Sequence, residues 1–124
     1  MLRVLKLFPL ALILLCPPTW AQGLNQMACK IVIERDGDDV RAFAIAQALL
    51  RSKAKYKFKA SKISASGLGA SEQKGEEELP AQEVTVLSQV RFNLEANGWV
   101  DFELSVTEQL TGATCTAKET VSQN

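Results

Sequence analysis

Lys53, Lys55, Lys57 and Lys59 take every second place in the segment SKAKYKFKAS, residues 52 to 61, with Ala54, Tyr56, Phe58 and Ala60 between them. An extended strand has a side-chain period of two, so this spacing sets four ammonium groups on one side and the apolar groups on the other. The chemistry open to such a row is electrostatic. It attracts anionic chains and raises their encounter rate, most strongly at low salt, although each exposed ion pair contributes only about 0 to 1 kcal/mol. A solvated outer face that deters the protein's own aggregation is the competing explanation of the same pattern.

Cysteine chemistry is the second possibility. Of the three cysteines, Cys16 lies in an apolar leader, which leaves Cys29 and Cys115 near the two ends of the remaining chain. In an exported protein such a pair is expected to form a disulfide and tie the first strand to the last, with free thiols as the alternative. Closing so long a loop contributes about 4 to 5 kcal/mol in the chain-entropy model. No C-x-x-C motif is present, so thiol-disulfide catalysis finds little support. The chain has no histidine, the commonest general base and metal ligand. No glycine-rich phosphate loop precedes a helix, and Glu76, Glu77 and Glu78 read as a solvated charge run rather than a metal site. No enzymatic activity, metal or cofactor is expected.

The leader itself is legible. MLRVLKLFPLALILLCPPTWAQG sets Arg3 and Lys6 before an apolar run from Leu7 to Cys16, then a Pro17-Pro18 break, with Thr19 and Ala21 at the positions of a signal-peptidase site. The run is too short to span a bilayer as a helix. Leu15 precedes Cys16 where lipoprotein processing prefers a small residue, so cleavage after Ala21 is favoured over a lipid anchor. Residues 1–21 are therefore expected to be a secretory signal peptide, and residues 22–124 one exported domain, free of the membrane. That domain carries 12 basic and 14 acidic residues, a balance that argues against generic nucleic-acid binding. The charges are segregated: Arg51 to Lys62 holds six basic residues and no acid, while Glu72 to Glu83 holds five acids and one lysine.

The elements that must position these groups follow from periodicity. Met27 to Glu34 reads as a strand ending at the turn signal RDGDD. Val40 to Leu50 is ambiguous: four alanines and a capping Asp38 or Asp39 favour a helix, whereas a strand would place Phe43, Ile45 and Leu49 on one face and small residues on the other. Lys53 to Ile63 is the lysine strand. SASGLGAS reads as a flexible turn, and Glu72 to Leu79 as a short polar edge strand stopped by Pro80. Glu83 to Leu94 alternates, with Val84, Val86, Val90, Phe92 and Leu94 on one face. Asn97-Gly98 predicts a type I′ hairpin turn. Val100, Phe102, Leu104 and Val106 then alternate with an outward Trp99, Asp101, Glu103 and Ser105. After a turn at Thr111-Gly112, a short strand through Cys115 leads to a loose polar tail beyond Lys118. Six to seven strands in about a hundred residues predict an all-β fold, an immunoglobulin-like antiparallel β-sandwich; a helix at 40 to 50 would make it α+β. In such a sandwich the third strand pairs with the sixth, so Asp101 and Glu103 would lie opposite the lysines and offset part of their charge.

A cysteine opening the first strand, the K-Y-K-F-K strand, the S-E-Q-K-G turn region with Ser71, Gln73 and Gly75, the W-V-D-F-E-L-S-V strand and a cysteine closing the last strand together resemble the curli assembly chaperone family, in its CsgH-like branch. The resemblance spans about Ala28 to Ala117. It implies a periplasmic immunoglobulin-like chaperone that restrains amyloid formation by the secreted curli subunit, and it implies that Val40 to Ala48 is a strand. On that reading the partner is an acidic, unfolded curli amyloid subunit. Lys53, Lys55, Lys57 and Lys59 are its expected contact surface, Trp99 is a second contact, and the domain works as a monomer. A different exported β-sandwich binding module of the cell envelope, an adhesin part or accessory protein, is the alternative.

Overall fold

The computed structural model describes residues 26–65 and 67–122, so the expected signal peptide falls outside the described residues. Seven strands follow in order: β1 (Met27–Asp36), β2 (Asp39–Ala48), β3 (Ser52–Ser64), β4 (Gly67–Leu79), β5 (Thr85–Asn93), β6 (Trp99–Glu108) and β7 (Thr114–Ser122). They form two antiparallel sheets, β1-β2-β5 and β4-β3-β6-β7, with β3 paired to β6 as in immunoglobulin-like sandwiches.

The ambiguous segment is strand β2, and its sequence makes sense only in the context of the facing sheet. Val40, Ala42, Ala44, Ala46 and Ala48 are all buried, which a period of two achieves and a helical period would not. Alanine is a poor strand former; β2 is held extended by hydrogen-bonding to β1 on one side and β5 on the other. Its short side chains leave volume for the aromatic residues of the opposite sheet. Phe58 of β3 stacks on Phe102 of β6 at 5.9 Å between centroids, and Phe92 reaches across from β5 to meet Phe102 at 5.7 Å. Val100, Leu104 and Val106 complete this buried layer.

Four local expectations change. The alternation of Glu83 to Leu94 is broken by a bulge: Ala44 pairs with Ser88 but Ile45 pairs with Val86, leaving Leu87 as the extra residue of β5. One inserted residue reverses the faces of everything before it. Leu87 and Leu94 are therefore buried, Val90 and Phe92 pack against the core, and Val84 and Val86 stand 60% and 56% exposed on the outside. Asn97-Gly98 is not a hairpin, because β5 and β6 belong to different sheets and the turn carries the chain across the sandwich. Only Asn97 has a positive φ, 61°, where a type I′ turn needs two. Gly98 is fixed by close approach instead: a Cβ there would lie 3.0 Å from the Glu95 carbonyl oxygen and 3.2 Å from that of Ile63.

The third change is β4, which begins at Gly67 inside the stretch expected to be a flexible turn and runs 13 residues alongside the whole of β3. The fourth is the C-terminal end. β7 continues to Ser122, and the segment beyond Lys118 is anchored by Val121, buried opposite Val100. Cys29 and Cys115 form the expected disulfide, with Cα atoms 6.1 Å apart, and join the edge strands β1 and β7 of the two sheets.

Candidate functional site

β3 lies in the interior of its sheet, hydrogen-bonded to β4 and β6 along nearly its whole length. Ala54, Phe58 and Ala60 are buried and Tyr56 is half-buried, so Lys53, Lys55, Lys57 and Lys59 are all turned outward and exposed. A rigid central strand thus presents the row, as the period of two requires.

The row does not stand alone. Glu103 lies opposite Lys59, but Asp101 lies opposite Ser61, one step past the last lysine. Both β6 acids also have other partners: Glu103 meets Lys118 at 3.7 Å and Asp101 accepts the Thr120 hydroxyl at 2.7 Å. The larger counter-charge comes from β4, where Glu78, Glu76 and Glu72 lie opposite Lys53, Lys55 and Lys59. The ion pairs run diagonally, Lys53 to Glu76 at 4.0 Å and Lys57 to Glu72 at 3.8 Å, while Arg51 takes Glu78 at 3.1 Å. Among the described residues Lys55 and Lys59 form no ion pair. The face is therefore a positive row flanked by acids that match half of it.

One cross-strand pair runs against this pattern. Lys57 sits directly opposite Lys74 in the middle of the β3–β4 hairpin, an arrangement that opposes stability. Lys55, Lys57 and Lys74, with Glu76, Ser105 and Thr107, line a shallow depression on the outer face above Tyr56 and Gly75. Lys74 was not among the residues expected to act, and neither were the β4 acids. Counting outward from the tip of the hairpin would have found them, had residues 64 to 71 not read as a flexible turn.

Trp99 is on the same outer face and 40% exposed, opposite Ile63 and Ser122. It lies four positions along β6 from Glu103, the neighbour of Lys59, or about 13 Å at strand rise. It is brought to the face but not into the lysine row.

The other sheet carries a feature that sequence reasoning missed. With alanines inward on β2, the larger Phe43 and Ile45 turn outward, Phe43 beside Val32 and Ile45 beside Val86. The outer surface of the β1-β2-β5 sheet is thus unusually apolar. It is bordered by Arg41, paired with Glu34 at 3.3 Å, and by Arg91, which grips both oxygens of Asp39. Hydrogen bonds from the Arg91 guanidinium hold the Asp39 carboxyl below the usual carboxylate range, over a smaller opposing effect of desolvation. Among the described residues no group of three or more histidine, cysteine, aspartate or glutamate side chains could hold a metal ion.

No protein-family model matches the chain, and no curated protein does. Solved structures do. The solution structure of R. palustris CsgH is similar with a TM-score of 0.63 at 17% identity, over 75% of this chain and 90% of that one. The E. coli curli protein CsgC is similar with a TM-score of 0.62 at 14% identity, over 77% of this chain and 96% of that one. At these identities the likeness is one of fold: the chain is a two-sheet β-sandwich built like CsgH and CsgC.

Proposed function

We propose that this protein is a periplasmic chaperone that restrains premature amyloid formation by a secreted curli subunit. It acts through weak contacts between its exposed lysine row and an acidic, unfolded client, and not by catalysis. The observation that carries the reading is the outward row Lys53, Lys55, Lys57 and Lys59 on the central strand β3, with Lys55 and Lys59 forming no ion pair among the described residues, in a fold shared with CsgH and the curli protein CsgC. Lysines already paired to Glu72 and Glu76 must exchange partners to hold a client, whereas Lys55 and Lys59 need not. Contacts of this kind are individually weak and screened by salt, which suits a chaperone that must release its client.

The test is dye-monitored fibrillation of the curli subunit with catalytic amounts of residues 22–124. A lengthened lag that shortens as salt rises is the expected result, and an unchanged lag at low salt overturns the proposal. Between paired variants, Lys55→Gln/Lys59→Gln is expected to lose more of the delay than Lys53→Gln/Lys57→Gln.

A second reading has its own observation. The apolar outer surface around Val32, Phe43, Ile45, Val84 and Val86 favours an envelope binding module that docks through the opposite sheet. Phe43→Ser/Ile45→Ser distinguishes the two: it leaves a lysine-driven delay intact and removes any activity that depends on this surface.

A further inference from the structure

β4 is an edge strand, hydrogen-bonded among the described residues to β3 alone, with its C-terminal end at the buried Leu79 packed toward the other sheet. At 13 residues it is long for an edge, and its first half, Gly67 to Ser71, is exposed on both faces. Free edges are templates for another strand, and charges placed on them decide which strand is admitted. The outward side chains of β4 are Leu68, Ala70, Glu72, Lys74, Glu76 and Glu78. Lys74, at the centre of that row, faces Lys57 within its own hairpin and forms no ion pair among the described residues. The fold thus leaves a cation on a free edge with a like charge as its neighbour.

A second copy of the same strand supplies the missing partner in one register. If two β4 strands run antiparallel with Gln73 on the two-fold axis, Glu72 of each copy falls opposite Lys74 of the other, and both pairs form by symmetry. Gln73 is also the midpoint of Gly67–Leu79, so the same register pairs the whole strand, Gly67 of one copy against Leu79 of the other. Neighbouring registers are poorer on charge. An axis at Glu72 or Lys74 sets that residue against itself, an axis at Gly75 offsets its two Lys74–Glu76 pairs by setting Glu72 against Glu78, and an axis at Ser71 gives Lys74 no acid opposite it.

We propose that this edge is a self-association surface: two chains join through β4, centred on Gln73, into one continuous eight-stranded sheet. The proposal departs from the monomer expected of the sequence and does not depend on the proposed chaperone activity. Because the two-fold axis lies perpendicular to the sheet, both lysine rows share one face of the dimer.

Sedimentation velocity and light scattering on residues 22–124 over a wide concentration series read the association directly. The parent is expected to pass from monomer to dimer. Lys74→Glu and Glu72→Lys each set like charges opposite one another and weaken the dimer about tenfold. The double variant Glu72→Lys/Lys74→Glu restores it. An equimolar mixture of the two single variants forms a heterodimer, since each then presents the charges the other lacks; this mixture also answers the objection that either variant is misfolded. A parent that stays monomeric at every concentration overturns the proposal. So does a dimer indifferent to both reversals, or a mixture that fails to associate.

Discussion

Gly75 and Tyr56 are direct cross-strand neighbours, and the ring of Tyr56 lies over the glycine on the inner side of β4. A Cβ at position 75 would come 2.8 Å from the Tyr56 hydroxyl oxygen and 2.9 Å from a ring carbon. Since the ring must then swing aside and uncover the strand beneath, Gly75→Ala is expected to cost about 1 to 2 kcal/mol. In a strand, however, alanine is otherwise better than glycine by about 0.5 to 1 kcal/mol, because glycine loses more backbone freedom on folding. The sign of the substitution should therefore depend on Tyr56. In a Tyr56→Ala background, itself destabilised by about 2 kcal/mol, Gly75→Ala should become neutral or stabilising. The coupling in the double-mutant cycle should be about 2 kcal/mol. Urea unfolding followed by far-ultraviolet dichroism measures all four corners. If Gly75→Ala costs the same with and without the ring, the contact is not what demands glycine at this place, and the reasoning fails.

Other consequences follow from single features. Reducing Cys29–Cys115, which spans 86 residues of sequence, should lower stability by about 4 to 5 kcal/mol, seen as a large shift of the urea midpoint with dithiothreitol. Glu108 is 1% exposed and accepts hydrogen bonds from the Thr111 hydroxyl and amide at 2.6 and 2.8 Å and from the Leu110 amide at 3.2 Å, which hold its carboxyl below the ordinary value of 4.5. A depressed folded pKa contributes stability that is full above the unfolded value and fades as pH falls through the folded one. Glu108→Gln should cost about 1 to 3 kcal/mol at neutral pH and should flatten the loss of stability of the parent below about pH 4.5. Among the described residues the buried Ser52 hydroxyl has no hydrogen-bond partner, so Ser52→Ala should be neutral or slightly stabilising in the same urea assay.

What was legible from the residues was set by periodicity. The lysine strand, the inward Phe102 and Leu104 of β6, and the disulfide between first and last strands needed only a period of two and an oxidising compartment. β2 was not decidable locally, because its alanines fit a helix by propensity and a strand only when the facing phenylalanines are known. The bulge at Leu87 leaves no mark in a sequence that alternates well on both sides of it, so Val84 and Val86 were assigned to the wrong face. Asn97-Gly98 carries the chemistry of a hairpin, yet a turn's residues do not reveal whether the next strand joins the same sheet. The largest omission was the register of β4. Glycines at 67 and 69 read as a loop, and with the strand shortened its glutamates lost their place beside the lysines. The site was thus half legible: the cations were found, but not the acids that match half of them.

Whether the lysine row acts outward is decided by the quadruple variant Lys53→Gln/Lys55→Gln/Lys57→Gln/Lys59→Gln. The measurement is the lag time of curli-subunit fibrillation at low salt, with parent or variant added in catalytic amounts and the fold of each verified by dichroism. The folded variant is expected no longer to delay fibril growth. A folded variant that delays it as well as the parent would assign the lysines to the solvated face of the sandwich and overturn their role in holding a client.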